Sequence, residues 1–169
     1  FAQPAPEAGC TYKLSKKDVV VKWTAFKTPK KVAVSGTFSD ITLKDRSGPS
    51  IAEISQGTNF AINSLKVVTG DPARDMKIGK FFFGMISNSK ISGTVRKVTQ
   101  TDSEVEFSMN GVSQKLMLDN KWEGDKLVAT GTLDVLHFKM DKALASLTEA
   151  CKALHEGKTW PDVGVELTA

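Results

Sequence analysis

The sequence has few of the residues on which most catalytic and metal sites depend. Its 169 residues include two histidines, two cysteines and one tyrosine. Neither His137 nor His155 has a second ligand at the spacing of a metal site, and each is interpreted as a surface or capping residue. The motifs of serine hydrolases, paired redox cysteines, zinc proteases and phosphate loops are also missing. We therefore expect a protein that is not an enzyme and has no metal and no cofactor.

Long apolar runs and arginine clusters are missing as well. No run of about 18 apolar residues is present, the length that a membrane-spanning helix needs, so we expect no membrane-spanning segment. The net charge of +4 comes mainly from lysine, because Arg46, Arg74 and Arg96 are the only arginines. Nucleic-acid-binding proteins more often combine arginine with exposed aromatic residues and a recognisable motif. A nucleic-acid partner is therefore not expected.

The N-terminal residues differ in composition from the rest of the chain. Residues 1–10 are small and rich in proline, and Glu7 is their only charged residue, which is typical of an exported protein after removal of its signal peptide. We expect an N-terminal extension over residues 1–17. Cys10 and Cys151 lie near opposite ends of the chain, and we favour a disulfide between them over one buried and one tail thiol. Export and a disulfide both predict a periplasmic or secreted protein.

Alternation of apolar and polar residues predicts that most of the chain is β-strand. Asn110–Gly111 is the dipeptide of a type I′ hairpin and stands between two alternating runs. Phase changes predict a bulge near Ser39–Asp40 and a kink near Asn63–Ser64. Strands are expected at about residues 18–28, 32–43, 51–69, 90–99, 104–109, 112–118, 126–135 and 163–167. About eight long strands, joined mostly by hairpins, predict an up-and-down antiparallel β-barrel over residues 18–169 as a single domain.

Two segments have helical rather than strand periodicity. Residues 71–84 begin with a capping aspartate and a proline, and apolar residues recur on one face, which predicts a short lid helix over the barrel. Residues 139–156 have apolar residues in steps of 4, 3, 4 and 3, from Met140 to Leu154, and predict an amphipathic helix that ends at Gly157.

The interior of the predicted barrel is the candidate binding site. Apolar residues in phase on the strands and on the lid are expected to point inward and to contact a hydrophobic ligand. Gly36, Gly93 and Gly131 favour a hollow interior over a filled core, because glycine within a strand leaves room or marks a corner. The predicted ligand-binding residues are Val21, Trp23, Val34, Phe38, Phe60, Ile62, Phe82, Met85, Phe107, Met109, Leu116 and Leu118.

Two other function classes remain open from the residues alone. An enzyme acting on a lipid or quinone would need a polar group deep in the barrel, and Ser108 and Asn110 are weak candidates. A structural or interaction protein of the cell envelope would use the apolar face of the 139–156 helix as an interface, which would then be exposed in the monomer.

The order of these segments resembles the YceI-like, polyisoprenoid-binding family of bacterial secreted proteins. The most specific pieces are Arg74–Asp75 followed by the phenylalanines at 81–83, and the hairpin at 109–118. The resemblance implies an extended lipocalin-like barrel that binds a long amphiphile, such as a polyprenyl lipid, an isoprenoid quinone or a fatty acid or amide. It also implies a periplasmic or secreted protein that acts as a carrier, store or scavenger, and a homodimer. The other matching pieces are VVVKWTAF (19–26), VSGTFSDITL (34–43), ATGTLDV (129–135) and the final VGVELTA.

The sequence departs from the family pattern at two places. Asn110 stands where the family would have a histidine after the first hairpin strand, which puts a polar head-group role at that position in doubt. The helix at 139–156 is inserted before the last strand and is expected to reshape one end of the barrel or a dimer face.

Overall fold

The computed structural model describes residues 11–152 and 158–168. Within these residues the fold is mainly β, with twelve strands, three α-helices and several short 3-10 turns. The helices are α1 (Ile51–Ser55), α2 (Pro72–Phe81) and α3 (Asp141–Ala150). The strands are β1 (Tyr12–Leu14), β2 (Val20–Lys27), β3 (Val32–Phe38), β4 (Ile41–Leu43), β5 (Arg46–Gly48), β6 (Asn59–Asn63), β7 (Val67–Val68), β8 (Lys90–Val98), β9 (Asp102–Met109), β10 (Val112–Glu123), β11 (Lys126–Asp134) and β12 (Asp162–Thr168).

Ten of the described strands form one antiparallel sheet that curls into a barrel. Their order is β4-β6-β8-β9-β10-β11-β12-β2-β3-β7. From β8 to β12 each strand pairs with the next one in the chain, and β12 then pairs with β2. The predicted antiparallel barrel is confirmed, with ten strands in the sheet where about eight were expected.

The two edge strands, β4 and β7, are not paired with each other among the described residues, and the chain crosses twice between these edges of the sheet. β3 lies near one edge, whereas β4 is at the other, so the break at Ser39–Asp40 is a crossing and the predicted bulge is wrong. The predicted kink after Asn63 is the 3-10 turn Ser64–Lys66, which returns the chain to the first edge. Two backbone hydrogen bonds tie the crossings together, from Ser39 N to Lys66 O (2.9 Å) and from Asn63 N to Asp40 O (3.1 Å).

The hairpin between β9 and β10 has the predicted turn. Asn110 and Gly111 both have positive φ, at 54° and 73°, as a type I′ turn requires at its two central positions. The turn places the Asn110 side chain beside two other loops at the same end of the barrel.

Helix α2 begins as the sequence predicts, but it ends at Phe81, before the predicted end at residue 84. The Asp71 side chain accepts hydrogen bonds from the backbone N–H groups of Ala73 (3.1 Å) and Arg74 (3.3 Å), and Pro72 occupies the first turn. After Phe81 the chain tightens into the 3-10 turn Phe83–Met85. Helix α3 packs against α2, and together the two helices cover this end of the barrel, which we call the helical end.

Helix α3 confirms the core of the predicted amphipathic helix. It covers Asp141–Ala150 and follows a 3-10 turn at Val135–Phe138. The predicted end of the helix at 153–157 lies outside the described residues. None of the helices in the described part of the chain is both long and apolar enough to cross a membrane.

The opposite end of the barrel, which we call the filled end, contains elements that the alternation did not predict. β1 pairs with β5 in a separate two-stranded sheet. Residues 51–55 form helix α1, although a strand was expected there. The Ser50 side chain caps α1 by accepting a hydrogen bond from Glu53 N (3.2 Å). Serine followed three residues later by glutamate is a helix-start pattern, so the sequence did contain a signal for this helix.

Candidate functional site

A cavity of about 150 Å³ lies inside the barrel beneath α2 and α3. Its lining is almost entirely apolar and comes from the strands, from both helices and from the segment before β12. A cavity of roughly this size with aliphatic and aromatic walls stays dry and accepts a small hydrocarbon. The cavity therefore has the size and the walls of a space that can hold an apolar group.

Eight of the twelve predicted ligand-binding residues line this cavity. They come from strands on several sides of the barrel and from the segment after α2, so the in-phase faces do converge. They are Val21, Trp23, Val34, Phe38, Ile62, Phe82, Phe107 and Met109.

Phe60 lines a second, smaller cavity of about 60 Å³ toward the filled end. Its ring packs edge-on against Phe107, with ring centroids 6.0 Å apart, and Phe107 lines the larger cavity. Val21 contributes to the walls of both cavities. Two neighbouring hollows therefore lie in the interior, and the Phe60–Phe107 contact joins their walls.

Three predicted site residues lie elsewhere. Met85 is 54% exposed, because the chain leaves the α-helical repeat after Phe81 and the tighter 3-10 turn rotates the following residues. Phe83 takes the buried position instead and packs edge-on against Phe38 at 5.6 Å. Leu116 and Leu118 belong to the packed core and line neither cavity.

The strand glycines make room for protein side chains and not for a ligand. A methyl group on Gly93 would lie 2.2 Å from the Phe60 ring, and one on Gly36 would lie 2.5 Å from the ring of Trp23. A methyl group on Gly131 would lie 2.5 Å from the Leu118 side chain. The interpretation of these glycines as evidence for a hollow is therefore wrong, since large neighbours fill the space that each of them leaves.

Helix α3 supplies a wall of the cavity that sequence reasoning did not assign to the site. Leu144, Leu147 and Cys151 line the cavity together with Met140, just before the helix. Met140, Leu147 and Cys151 are buried, so much of the apolar face proposed as an interface is covered by the barrel of the same chain. The spacing of apolar residues in steps of 4 and 3 already indicated this contact, because the apolar face of a helix is the face that packs against the rest of the protein.

The predicted disulfide between Cys10 and Cys151 is not shown. Cys151 is buried and has no disulfide partner among the described residues, and Cys10 lies outside them. The pairing stays a prediction.

The Arg74–Asp75 pair, the most specific part of the family resemblance, fastens helix α2 to the barrel. One Asp75 carboxylate oxygen accepts hydrogen bonds from the backbone N–H (2.8 Å) and the hydroxyl of Thr69, just after β7. The Arg74 guanidinium donates to the Thr69 hydroxyl (2.9 Å) and carbonyl (3.1 Å). Arg74 also lines the cavity, so this pair fixes the lid in place over the site.

At the end of β2 the cavity lining includes aromatic rings and a lysine, and we call this part of the lining the cavity mouth. Lys27, the last residue of β2, forms an isolated bridge with Thr159, and Trp160 N donates to Phe26 O (3.0 Å). Phe26, Lys27, Thr159 and Trp160 all contribute to the cavity lining. The Lys31 ammonium lies 5.0 Å from the centroids of both the Phe26 and the Trp160 rings. The mouth is therefore aromatic on its inner side and positively charged on its outer side.

One carboxylate at the mouth has a shifted pKa. Asp162 and Lys31 form an ion pair at 2.8 Å. The hydrogen bond from Lys31 holds the pKa of Asp162 below its usual value, and partial desolvation opposes this effect.

Ser108 and Asn110, the candidate catalytic residues, make hydrogen bonds within the protein. The Ser108 and Ser113 hydroxyls bond to each other across the β9–β10 hairpin. The Asn110 side-chain amide donates to the carbonyls of Phe138 (3.1 Å) and Lys139 (3.0 Å). Neither Ser108 nor Asn110 lines the cavity. Among residues 11–152 and 158–168 no group of three potential metal ligands occurs.

The cavity wall contains one unused hydrogen-bond donor. The indole Nε1 of Trp23 is buried and has no hydrogen-bond partner among the described residues. Buried polar groups are normally paired, and a ligand oxygen could reach this donor only if the side chains around it moved, because the atom has almost no accessible surface.

Comparison with known proteins identifies the family. The sequence model of the YceI-like domain matches residues 12–168. No curated protein matches the chain at a significant level.

Three solved structures have a similar fold. A polyisoprenoid-binding domain from Saccharophagus degradans, implicated in plant cell wall breakdown, superposes with a TM-score of 0.63 at 14% identity, covering 94% of this chain and 95% of its own. BcnA of Burkholderia cenocepacia gives a TM-score of 0.62 at 11% identity, with coverages of 90% and 97%. The YceI protein of Campylobacter jejuni gives 0.58 at 17% identity, with coverages of 79% and 81%. At these identities the likeness concerns the fold.

Proposed function

This chain belongs to the family of YceI-like domains, and from that premise we propose that it binds a long-chain amphiphile in the cavity beneath α2 and α3. The observation that carries the proposal is the nearly all-apolar lining of that cavity. The polyisoprenoid binding named for the Saccharophagus degradans domain supports the same ligand class. Polyisoprenoids, isoprenoid quinones and fatty acids or amides all have the hydrocarbon tail that such a wall selects.

The energetics favour a carrier, store or scavenger over an irreversible trap. Each buried methylene group contributes about 0.8 kcal/mol, so a tail of some fifteen such groups contributes at most roughly 12 kcal/mol, and less where part of it lies outside the cavity. Association and ordering of the chain cost on the order of 4–15 kcal/mol. The remainder is modest, so a bound tail can also be released.

The two hollows set a condition on how a long tail is bound. The larger cavity alone accepts only a short segment of hydrocarbon, and the Phe60–Phe107 contact joins its wall to that of the smaller one. We infer that a longer tail either displaces these rings or extends through the mouth between Phe26 and Trp160. Selectivity for chain length then depends on Phe60, and the Trp23 indole donor favours tails that carry an oxygen acceptor.

Filling the cavity tests the proposal directly. Ala25 lines the cavity from β2, and Ala25→Phe would occupy much of the empty space. Titration of purified protein with polyprenyl, quinone and acyl ligands, followed by native mass spectrometry, should show binding that falls at least tenfold in this variant. Ala145→Phe makes the same change at an exposed position of α3 and should bind as the unmodified protein does.

Two results would contradict the proposal. One is a protein that binds none of these ligands. The other is equal binding by the Ala25→Phe and Ala145→Phe variants when both remain folded by circular dichroism, because the tail would then lie outside the cavity.

We further propose a periplasmic or secreted location and a homodimer, as the family resemblance implies. Fractionation of cells and sedimentation of the purified protein test these two points. Because the apolar face of α3 is buried within the monomer, a dimer would form through another surface. A role of the chain as an envelope interaction protein through that face is therefore not favoured.

A further inference from the structure

The cavity mouth carries a surface whose charge and chemistry differ from those of the cavity. We call this surface the basic tip and define it as residues 26–32, at the turn between β2 and β3, together with residues 158–160. Lys30, Lys31 and Lys158 are exposed and Lys27 is half-buried. Among the described residues, Asp162 is the acidic residue that forms an ion pair with this group, through Lys31. The basic tip therefore has an excess of positive charge.

The basic tip also presents apolar groups to the outside. Val32 is 47% exposed, and the rings of Phe26 and Trp160 are half-buried beneath the lysines. The Lys158 ammonium lies 4.7 Å from the centroid of the Trp160 ring. Lysines around a partly exposed tryptophan and valine are the combination found where proteins meet the polar surface of a lipid bilayer.

The geometry of the basic tip is fixed by hydrogen bonds. Thr28 N donates to Lys158 O (3.0 Å), and the Trp160 indole N–H donates to Thr28 O (2.8 Å). Lys31 N donates back to Thr28 O (3.0 Å) and closes the turn. The charges and rings are therefore held on one side of the molecule in an arrangement that does not have to form on contact.

We propose that the basic tip docks on the surface of an anionic lipid bilayer, with the cavity mouth turned toward the lipid. Phe26 and Trp160 belong both to the tip and to the cavity lining, so a docked molecule has its mouth at the layer where an amphiphile leaves the membrane. The exchange of cargo at this contact rests on the proposed function. The docking itself rests only on the charges, rings and exposure of the tip.

Vesicle binding by matched charge variants tests the docking. Lys30→Gln with Lys158→Gln removes two charges from the tip, and Lys17→Gln with Lys126→Gln removes two exposed charges at the filled end. Protein is sedimented with phosphatidylcholine vesicles that contain or lack phosphatidylglycerol. Binding to the anionic vesicles should fall about twenty-five-fold in the tip variant, because each of the two lysines near an anionic surface contributes roughly five-fold. The filled-end variant should change less than about three-fold.

Several outcomes would overturn the docking. Equal loss in the two variants would mean that only the net charge of the chain matters. Equal binding to vesicles without phosphatidylglycerol would exclude a charge-driven contact. Loss of binding in inorganic phosphate, at an ionic strength matched with sodium chloride, would point to a site for free anions.

The orientation is tested separately by fluorescence. Vesicles with brominated acyl chains should quench part of the tryptophan emission, and the quenched part should disappear in Trp160→Phe. Trp122 is 1% exposed at the filled end and provides an unquenched internal reference. Absence of quenching in vesicle-bound protein would contradict the inserted orientation.

These measurements also separate the docking from the proposed function. Vesicle binding needs no cargo, and cargo binding by native mass spectrometry needs no vesicles. A chain that docks and binds no amphiphile would end the proposed function alone, and a chain that binds amphiphiles without docking would end this inference alone.

Discussion

The two ends of the barrel are closed in different ways. At the helical end, α2 and α3 cover the barrel and leave a cavity of about 150 Å³ beneath them. At the filled end, Trp122 closes the barrel with Ile51 and Leu127, and the indole N–H of Trp122 donates to Gln100 O (2.9 Å). Arg46 adds hydrogen bonds there to the Gln56 (3.0 Å) and Gly57 (3.3 Å) carbonyls.

The comparison indicates that the filled end contributes mainly to the stability of the fold and the helical end mainly to ligand binding. The fully buried Trp122 stabilises one end, beside the smaller hollow of about 60 Å³, whereas the other end has helices that cover a larger space without filling it. Substitutions at the filled end should therefore act on stability and leave ligand binding unchanged, and those at the helical end should do the reverse.

The largest expected effect is at Trp122. Trp122→Ala should lower the free energy of unfolding by about 3–5 kcal/mol, because it removes a fully buried side chain and leaves a cavity. Urea denaturation measures this loss, and Trp160→Ala at the cavity mouth should cost less because Trp160 is half-buried. Equal losses at the two tryptophans would contradict the division of the barrel into a filled and a hollow end.

The next effect is at the boundary between the two cavities. Gly93→Ala should lower the free energy of unfolding by about 1–3 kcal/mol, because a methyl group there would meet the Phe60 ring at 2.2 Å. Gly164→Ala is the matched control, since its methyl group would lie 3.6 Å from Thr24. If Gly93→Ala is neutral while chain-length preference shifts, Phe60 moves freely and the two hollows form one site.

A smaller effect should appear in ligand binding. Trp23→Phe removes the unpaired indole donor and keeps an aromatic ring in the cavity wall. Affinity for a ligand with an oxygen acceptor should fall about five-fold, the equivalent of one net hydrogen bond, and affinity for a plain hydrocarbon should be unchanged. Native mass spectrometry with both ligands measures the ratio. An equal loss for both would assign the effect to packing.

The smallest effect should be on the acid stability of the helical end. Because the folded-state pKa of Asp162 is lowered by Lys31, the pair stabilises the fold above the usual aspartate value of about 3.9 and loses this contribution as pH falls through the lowered pKa. Asp162→Asn should cost at most about 1 kcal/mol at pH 7 and nothing below the lowered pKa. Urea titrations along a pH series measure this difference.

A matched pair at the filled end provides the control for acid stability. Lys121 and Glu123 are 3.4 Å apart, and their side chains are 60% and 47% exposed. Glu123→Gln should therefore cost less at pH 7 than Asp162→Asn. A larger cost for Glu123→Gln would contradict the assignment of the stronger ion pair to the mouth.

Local signals in the sequence predicted the elements that depend on a few neighbouring residues. Asp71 and Pro72 placed the start of α2, and Asn110–Gly111 placed the β9–β10 turn, because capping and turn geometry are decided within about four residues. The convergence of the strand faces was also predictable, since alternation fixes which side chains share a side.

Features that depend on contacts between residues far apart in the sequence could not be predicted from local patterns. The end of α2 depends on how Phe83 packs against Phe38 across the barrel, so the helical phase failed at Met85. The meaning of a strand glycine depends on which residue lies above it, and Phe60 over Gly93 is a contact between different strands. The size and division of the cavity follow from such contacts, and alternation alone carries no information about them.

The edge strands of the sheet are short, and this limits how copies of this chain can associate. β4 and β7 offer three and two residues respectively, and both are pinned by the crossing bonds of Ser39 and Asn63. Strand addition between molecules needs a longer row of free amide and carbonyl groups. At high concentration the barrel should therefore resist fibril-like stacking, and its self-association should proceed through side chains alone.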